Sequence, residues 1–325
     1  MPKFNVVHIT KYIYPSEVTD SANQIILYPK SSDLQQVISN KIYISPFAVV
    51  ETFHDYFGNE VGMFTIIDPH HELEIKVDLV VETLPIPEIN QTLSVEAQWN
   101  SLDSLKFEYP YVDFLQKELF TCKDEIQKVF SKLINTDMNI HDVVFALSNF
   151  IFNNFSYTQG ITNIETTVDE IWKIRAGVCQ DFAHLLIEML RLLNIPARYV
   201  SGYISPSNIE MRGEGATHAW VEAYIPEIGW KGIDPTNDCW QTDRHIIIAT
   251  GRDFRDCTPV KGTYKGPSDN ILTVSVIITN EHTKEQTNVP INPQPSYVSM
   301  TNGRESKNIS NSYQQYLEAQ QQQQQ

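Results

Sequence analysis

A cysteine at the start of a predicted helix is the first residue that could do chemistry. Cys179 follows Gly177-Val178 and precedes an apolar run that stops at Pro196. Because proline cannot continue a helix, this run predicts a helix that begins near Cys179 and ends before Pro196. Unpaired N–H groups in a first helical turn favour negative charge, and the thiolate is the nucleophilic form of cysteine. Cys179 is therefore a candidate nucleophile, and the alternative is a buried structural cysteine.

A histidine and an aspartate lie at the same open end of a predicted β-hairpin. His218 begins an alternating strand, residues 226–229 form a turn, and Asp234 ends the return strand. Pairing centred on Pro226 makes His218 and Asp234 cross-strand partners, with Cβ atoms about 4.5–5.5 Å apart. A symmetric turn instead places Asp234 opposite Val221, although a bulge could restore the contact. A carboxylate beside an imidazole fixes its tautomer, so the pair is a candidate acid–base unit; the alternative is two ordinary strand-end residues.

His184 is the histidine nearest to Cys179 in the sequence, but its spacing is unfavourable. Five residues along a helix place it about 140° around the axis from the cysteine. We interpret His184 as part of a polar stripe. A zinc site from Cys179, His184 and Cys239 matches no common spacing, and we expect no metal or cofactor. The four cysteines contain no Cys-x-x-Cys pair and are too sparse for a disulfide framework: Cys122, Cys179, Cys239 and Cys257.

Patterns along the chain predict the elements that must position these residues. Residues 1–84 consist of short alternating strands and predict a β-sandwich-like domain. Prolines at the start of residues 85–103 predict a linker. Residues 104–280 combine helical patterns with further strands, the last at 271–278, and predict the core that holds the candidate residues. Residues 281–325 are rich in Asn, Ser, Gln and Pro and predict a disordered tail.

A short helix is predicted immediately before the cysteine. Thr167 and Glu170 have the spacing of a capping box, in which each side chain satisfies the other's backbone N–H. The helix passes through Trp172 and ends at residues 175–177, so it leads directly into the segment that carries Cys179.

Composition limits the classes of partner. The 325 residues carry a formal net charge of −16, which argues against nucleic acid or an anionic membrane, because both need clustered Lys and Arg. No apolar run approaches the roughly 18 residues of a membrane span, and the start lacks the apolar core of a signal peptide. We therefore expect a soluble cytoplasmic protein. The oligomeric state is not predicted.

Four segments, in this order, resemble the transglutaminase-like superfamily in its microbial branch. They are Gly177–His184, Ile195–Tyr203, His218–Glu222 and Gly229–Asn237. The resemblance covers roughly residues 155–266. The N-terminal stretch also resembles the β-rich domain that precedes the core in this branch, through residues 8–14, 27–29 and 55–59.

The resemblance implies an α+β protein with a papain-like core, in which helices pack on an antiparallel sheet. It implies Cys179 as nucleophile, His218 as base and Asp234 as the residue that orients the base. An oxyanion hole needs donors, for which the Cys179 backbone N–H and the side chains of Gln180 and Trp172 are candidates.

Trp220 and Tyr203 are further candidates to line the cleft. The implied chemistry is cysteine-dependent acyl transfer on amide bonds through a thioester, with a peptide or protein as the substrate and a peptidase or amidase favoured. A protein-glutamine transglutaminase uses the same three residues and remains an alternative, as does a non-catalytic protein-binding module.

Overall fold

The computed structural model describes residues 1–86, 91–135, 137–163, 165–205, 211–213, 217–266, 270–280 and 310–311. An N-terminal antiparallel β domain is followed by helices that pack on an antiparallel sheet, which confirms the predicted α+β class. None of the helices in these ranges has both the length and the apolar character needed to cross a membrane.

The N-terminal domain is built around one long strand. Its strands are β1 (Lys3–Ile25), β2 (Gln35–Ser45), β3 (Glu51–His54), β4 (Glu60–Ile66) and β5 (His70–Thr83). The first half of β1 alternates buried and partly exposed residues and pairs with β5, as its sequence pattern predicts. The register shifts between Ile13 and Val18, and the second half of β1 pairs with β4. One strand therefore takes part in two sheets.

Five α-helices follow in the described part of the chain, and the first corrects an expectation. They are α1 (Val95–Ser104), α2 (Lys123–Leu133), α3 (Ile140–Asn154), α4 (Val168–Ile174) and α5 (Cys179–Leu192). The expectation of a linker over residues 85–103 is wrong for its second half, which forms α1. The reason is a local cap: the Ser94 side chain accepts a hydrogen bond from the Ala97 N–H.

The core sheet has five antiparallel strands in the order β11-β10-β9-β8-β12. They are β8 (Ala197–Ile204), β9 (Thr217–Ile225), β10 (Gly229–Asp234), β11 (Cys239–Trp240) and β12 (His245–Gly251). Helix α5 packs against β8 and β9 with buried side chains such as Phe182, Leu186 and Leu190. A separate parallel pair joins β6 (Ser156–Tyr157) to β7 (Ala176–Gly177) directly before α5.

The last strands return to the N-terminal domain. They are β13 (Val260–Lys265), β14 (Ile271–Asn280) and β15 (Ser310–Asn311). Both β13 and β14, which the sequence boundaries place in the core, pair with β1 of the N-terminal domain. The predicted disordered tail lies outside the described residues, except for β15, which pairs with β13.

Candidate active site

Cys179 lies at the first position of α5, where the sequence predicts it. Asp181 holds this helix start, because its Oδ2 accepts hydrogen bonds from the Val178 N–H (2.8 Å) and the Thr162 hydroxyl (2.7 Å). A Cβ on residue 177 would lie 2.5 Å from the same oxygen, so only glycine allows this approach. Burial raises the pKa of Asp181 to about 6, against the lowering effect of its two hydrogen bonds.

The predicted capping box before the cysteine is confirmed. Thr167 Oγ1 accepts from the Glu170 N–H at 3.3 Å, and Glu170 Oε2 accepts from the Thr167 N–H at 2.8 Å. Helix α4 ends at Arg175, which adopts a left-handed conformation with φ 57°. The chain then forms β7, and its pairing with β6 places Tyr157 beside Gly177. Helix α5 therefore starts next to a tyrosine.

The hairpin that carries His218 and Asp234 has neither of the two registers considered from the sequence. Ile225 pairs with Gly229 and Val221 with Ile233, so a three-residue turn connects the strands. Asp234 is consequently a diagonal neighbour of His218 rather than its direct partner. The side chains still meet: Nε2 of His218 and Oδ2 of Asp234 are 2.8 Å apart.

The electrostatics of this pair favour a charged imidazole. Burial lowers the pKa of His218, but the Asp234 carboxylate and the Cys179 thiol both raise it, and the resulting pKa is about 10. Burial raises the pKa of Asp234, but His218 and His245 outweigh it and hold that pKa well below its usual range. Because Asp234 engages Nε2, Nδ1 is the ring nitrogen left to serve Cys179.

Asp234 has three further hydrogen-bond donors. Its Oδ1 accepts from the Thr236 N–H at 2.9 Å, and its Oδ2 accepts from Asn237 Nδ2 at 2.7 Å. His245 Nε2 lies 3.4 Å from the same Oδ2. These contacts explain how a carboxylate stays ionised in a site without exposure to water, since hydrogen bonds to the charged form favour it.

A short backbone segment covers the imidazole. The Asn237 side chain accepts from the Arg212 N–H (2.8 Å) and donates to the Arg212 carbonyl (3.1 Å). Gly213 follows with φ 82°, and a Cβ there would lie only 2.6 Å from Nδ1 of His218. Cys179, His218 and Asp234 are 0%, 2% and 0% exposed. The candidate residues thus form a buried cluster.

The four additional site candidates have different surroundings. The Trp172 indole N–H donates to Glu125 Oε2 at 2.8 Å, so it is not available as an oxyanion donor. Tyr203 is fully buried with its hydroxyl 2.7 Å from His8 Nδ1, so it joins two domains and does not line a cleft. Trp220 is also buried, but its ring lies alongside His218. Gln180 lies next to Cys179 in the first turn of α5.

The structure also shows the surroundings of His184, the competing base, and of the residues considered for a zinc site. His184 Nε2 accepts a hydrogen bond from the Phe254 N–H at 3.2 Å, and burial lowers the pKa of this histidine to about 4. In the described part of the chain, the group with metal-ligand spacing is Asp234, Cys239 and His245, with ligand atoms within 4.8 Å. The Cys179–His184–Cys239 combination is not among such groups.

Sequence reasoning missed Asn237, His245, Gly213 and Tyr157. Asn237 stands three residues after Asp234, so an Asp-Pro-Thr-Asn turn could have been recognised as a local cap on the aspartate. No local signal identifies His245, because it reaches the site from β12, at the far edge of the sheet from β10. Gly213 and Tyr157 contribute through backbone placement, which the sequence does not encode locally.

Comparison with known families supports this architecture. A family model described as the transglutaminase-like superfamily matches residues 127–235, and one described as the bacterial transglutaminase-like N-terminal region matches residues 4–82. An uncharacterized protein of Mycobacterium leprae is 34% identical over 284 residues, covering 86% of this chain and 99% of the relative.

Two further proteins carry descriptions of an activity. A protein-glutamine gamma-glutamyltransferase of Pseudomonas aeruginosa is 35% identical over 101 residues, which cover 29% of this chain and 15% of that protein. The crystal structure of a candidate cysteine protease from Cytophaga hutchinsonii has a TM-score of 0.67 at 23% identity, covering 87% of this chain and 92% of that one. The second likeness establishes a shared fold.

Proposed function

Because the chain belongs to the transglutaminase-like superfamily, with a bacterial transglutaminase-like N-terminal region, we propose that it catalyses cysteine-dependent acyl transfer on amide bonds. Members of this superfamily are typically cysteine-dependent enzymes. The observation that carries the proposal is the buried contact between Asp234 and His218 beside Cys179. A protein-binding module has no need for a thiol, an imidazole and a carboxylate in this arrangement.

Each proposed step uses one of these three groups. The Cys179 thiolate attacks an amide carbonyl and forms a C–S bond, and the charged His218 donates its Nδ1 proton to the leaving amine as the C–N bond breaks. The product is a thioester on Cys179. Water or an amine then attacks the thioester, and His218, now neutral, accepts a proton from this nucleophile. The C–S bond then breaks. Asp234 stays ionised and orients the imidazole throughout.

The start of α5 stabilises the negative charge that develops on the substrate oxygen. Backbone N–H groups in a first helical turn have no intrahelical partner and point at an incoming anion. The Cys179 N–H and the neighbouring Gln180 side chain are the proposed donors. Donors of this type are worth about 10²–10³ in rate.

We favour hydrolysis of a peptide or amide over amine transfer. The likeness in fold to a candidate cysteine protease covers 87% of this chain, whereas the similarity to a gamma-glutamyltransferase is confined to 101 residues. Both reactions use the same thioester, so the group that attacks it, water or an amine, determines which product forms. Mass spectrometry of a peptide library with and without excess primary amine separates them: free acid products support hydrolysis, and amine adducts support a transglutaminase.

Alkylation of the four cysteines tests the nucleophile without a known substrate. We expect iodoacetamide near neutral pH to modify Cys179 fastest, because of its contact with the His218 imidazolium. Burial raises the pKa of both Cys122 and Cys239 to about 12, which keeps them as thiols. The fast phase should disappear in Cys179→Ala. Equal rates at all four cysteines would contradict the proposal.

A further inference from the structure

Asp234 lies between two imidazoles. His218 Nε2 approaches its Oδ2 at 2.8 Å, and His245 Nε2 approaches the same oxygen at 3.4 Å. We propose that His245 is a positioning residue, which donates a hydrogen bond to Asp234 and thereby holds Oδ2 toward His218. This inference rests on the acyl-transfer function proposed above and adds a fourth side chain to it.

The tautomer of His245 follows from its other nitrogen. The Thr242 backbone N–H donates to His245 Nδ1 at 3.1 Å, so Nδ1 carries a lone pair. A neutral imidazole with a lone pair on Nδ1 has its proton on Nε2, the nitrogen that faces Asp234. Nε2 is then a donor to the carboxylate and has no lone pair for a metal ion. The tautomer therefore favours hydrogen bonding over metal binding at the Asp234–Cys239–His245 group.

The two imidazoles around Asp234 differ in charge. Burial lowers the pKa of His245 although Asp234 raises it, and the charge on His218 lowers it further. The same carboxylate raises the pKa of His218 to about 10, against the effect of burial. One buried carboxylate thus stabilises one imidazolium, and the second imidazole stays neutral. A neutral donor suits a positioning role, because it orients Asp234 without competing for its negative charge.

Packing fixes the His245 ring. The residue is 1% exposed, and its ring meets the edge of Trp220 at 5.1 Å between centroids. Trp220 is in turn held by Gln241, whose Oε1 accepts from the indole N–H at 3.3 Å. A Cβ on Gly232 would lie 2.0 Å from that Oε1, so the chain leaves space for Gln241. His245 is therefore held by a set of neighbours that reaches across the core sheet.

Two amide substitutions separate the two nitrogens of His245. In His245→Gln the amide NH₂ occupies the place of Nε2 and can still donate to Asp234. In His245→Asn the amide occupies the place of Nδ1, so it can serve Thr242 but cannot reach Asp234. Acylation of Cys179 by p-nitrophenyl acetate measures the effect, with Cys179→Ala as background and His70→Gln as a control. His70 is a buried histidine with hydrogen bonds to Ser21 and Asp68 in the N-terminal domain.

We expect His245→Asn to lower the acylation rate by about 10- to 100-fold, the size of losing a hydrogen bond to a charged group. His245→Gln should stay within about 3-fold of wild type, because the donor is retained. The downfield proton resonance of the His218–Asp234 hydrogen bond should persist in the Gln variant and shift or broaden in the Asn variant. Equal rates for wild type and His245→Asn, or an equal loss in both variants, would overturn the assignment.

One measurement requires no variant. Nitrogen-15 spectra of the wild-type protein should show His245 protonated on Nε2, and a proton on Nδ1 would overturn the inference. The outcomes also distinguish this inference from the proposed function. Acylation that survives in Cys179→Ala removes the proposed function, whereas loss in Cys179→Ala with no loss in His245→Asn removes only the role of His245.

Discussion

Two buried histidines, one in each region of the molecule, respond to burial in opposite ways. His8 lies in β1 of the N-terminal domain, with the Tyr203 hydroxyl at 2.7 Å and the Thr10 hydroxyl at 3.1 Å. Burial lowers the pKa of His8 to about 4, whereas Asp234 and Cys179 outweigh burial and raise the pKa of His218 to about 10. Burial alone removes charge from an imidazole, and a buried carboxylate restores it. The partner therefore distinguishes a structural histidine from a candidate catalytic one.

Removing the charge on Asp234 should abolish this difference. We expect Asp234→Asn to lower turnover about a thousand-fold or more, because an amide cannot stabilise the imidazolium and reverses the tautomer preference. The measurement is acylation of Cys179 and peptide turnover. The control is Asp238→Asn, which changes a carboxylate in the same turn that is bonded to Asn149. Near-wild-type turnover in Asp234→Asn would contradict the role proposed for this residue.

The two histidines should affect stability in different pH ranges. The folded pKa of His8 is about 4 and an unfolded histidine has a pKa near 6.5, so the free energy of unfolding should decrease as pH falls from about 6.5 toward 4. The full effect is on the order of 3 kcal/mol. The contribution of His218 is complete below about pH 6.5 and is lost as pH rises toward its folded pKa of about 10.

Urea unfolding across pH tests these two ranges. His8→Gln should flatten the acid side and leave the alkaline side unchanged, and His218→Gln should do the opposite. His184, with a pKa near 4, adds to the acid side in both variants. Unchanged pH profiles in both variants would show that the two pKa shifts do not contribute to stability.

The smallest expected effect concerns the segment that covers His218. Gly213 and Gly229 have similar positive φ angles, 82° and 85°, so alanine at either position pays a similar backbone cost. Only Gly213 has its missing Cβ 2.6 Å from His218 Nδ1, while nothing lies within 4 Å of that position at Gly229. We expect Gly213→Ala to lower acylation roughly ten-fold more than Gly229→Ala, since the imidazole must shift. Equal rates in the two variants would mean that the His218 imidazole can shift without any decrease in the acylation rate.

The sequence predicted much of the site because its signals are local. The start of α5, the capping box of α4 and the hairpin strands each follow from residue types within a few positions of one another. The contact between His218 and Asp234 was predicted through a register that is wrong. It forms because the three-residue turn makes the two residues diagonal neighbours, which strand pattern alone does not determine.

The remaining features depend on partners far along the chain. Trp172 and Tyr203 were expected at the site, but Glu125 and His8 engage their polar atoms, and His8 is 195 residues away from Tyr203. His245 reaches Asp234 from the first residue of β12, although β9 and β8 lie between β12 and β10 in the sheet. The pairing of β14 with β1 also depends on a distant partner, because an alternating pattern does not determine which strand β14 pairs with.

The shared strand β1 has a consequence for the synthesis of the protein. Phe4 pairs with Asn280 and Ile13 with Ile271, so one side of the first strand is completed only by the last described strand of the main fold. At about 5–20 residues per second, a ribosome needs roughly 10–50 seconds to make the chain between them. During that time β1 has an open edge that can pair with other chains. The core that carries the candidate site is therefore synthesised while β1 of the N-terminal domain still lacks its pairing partner β14.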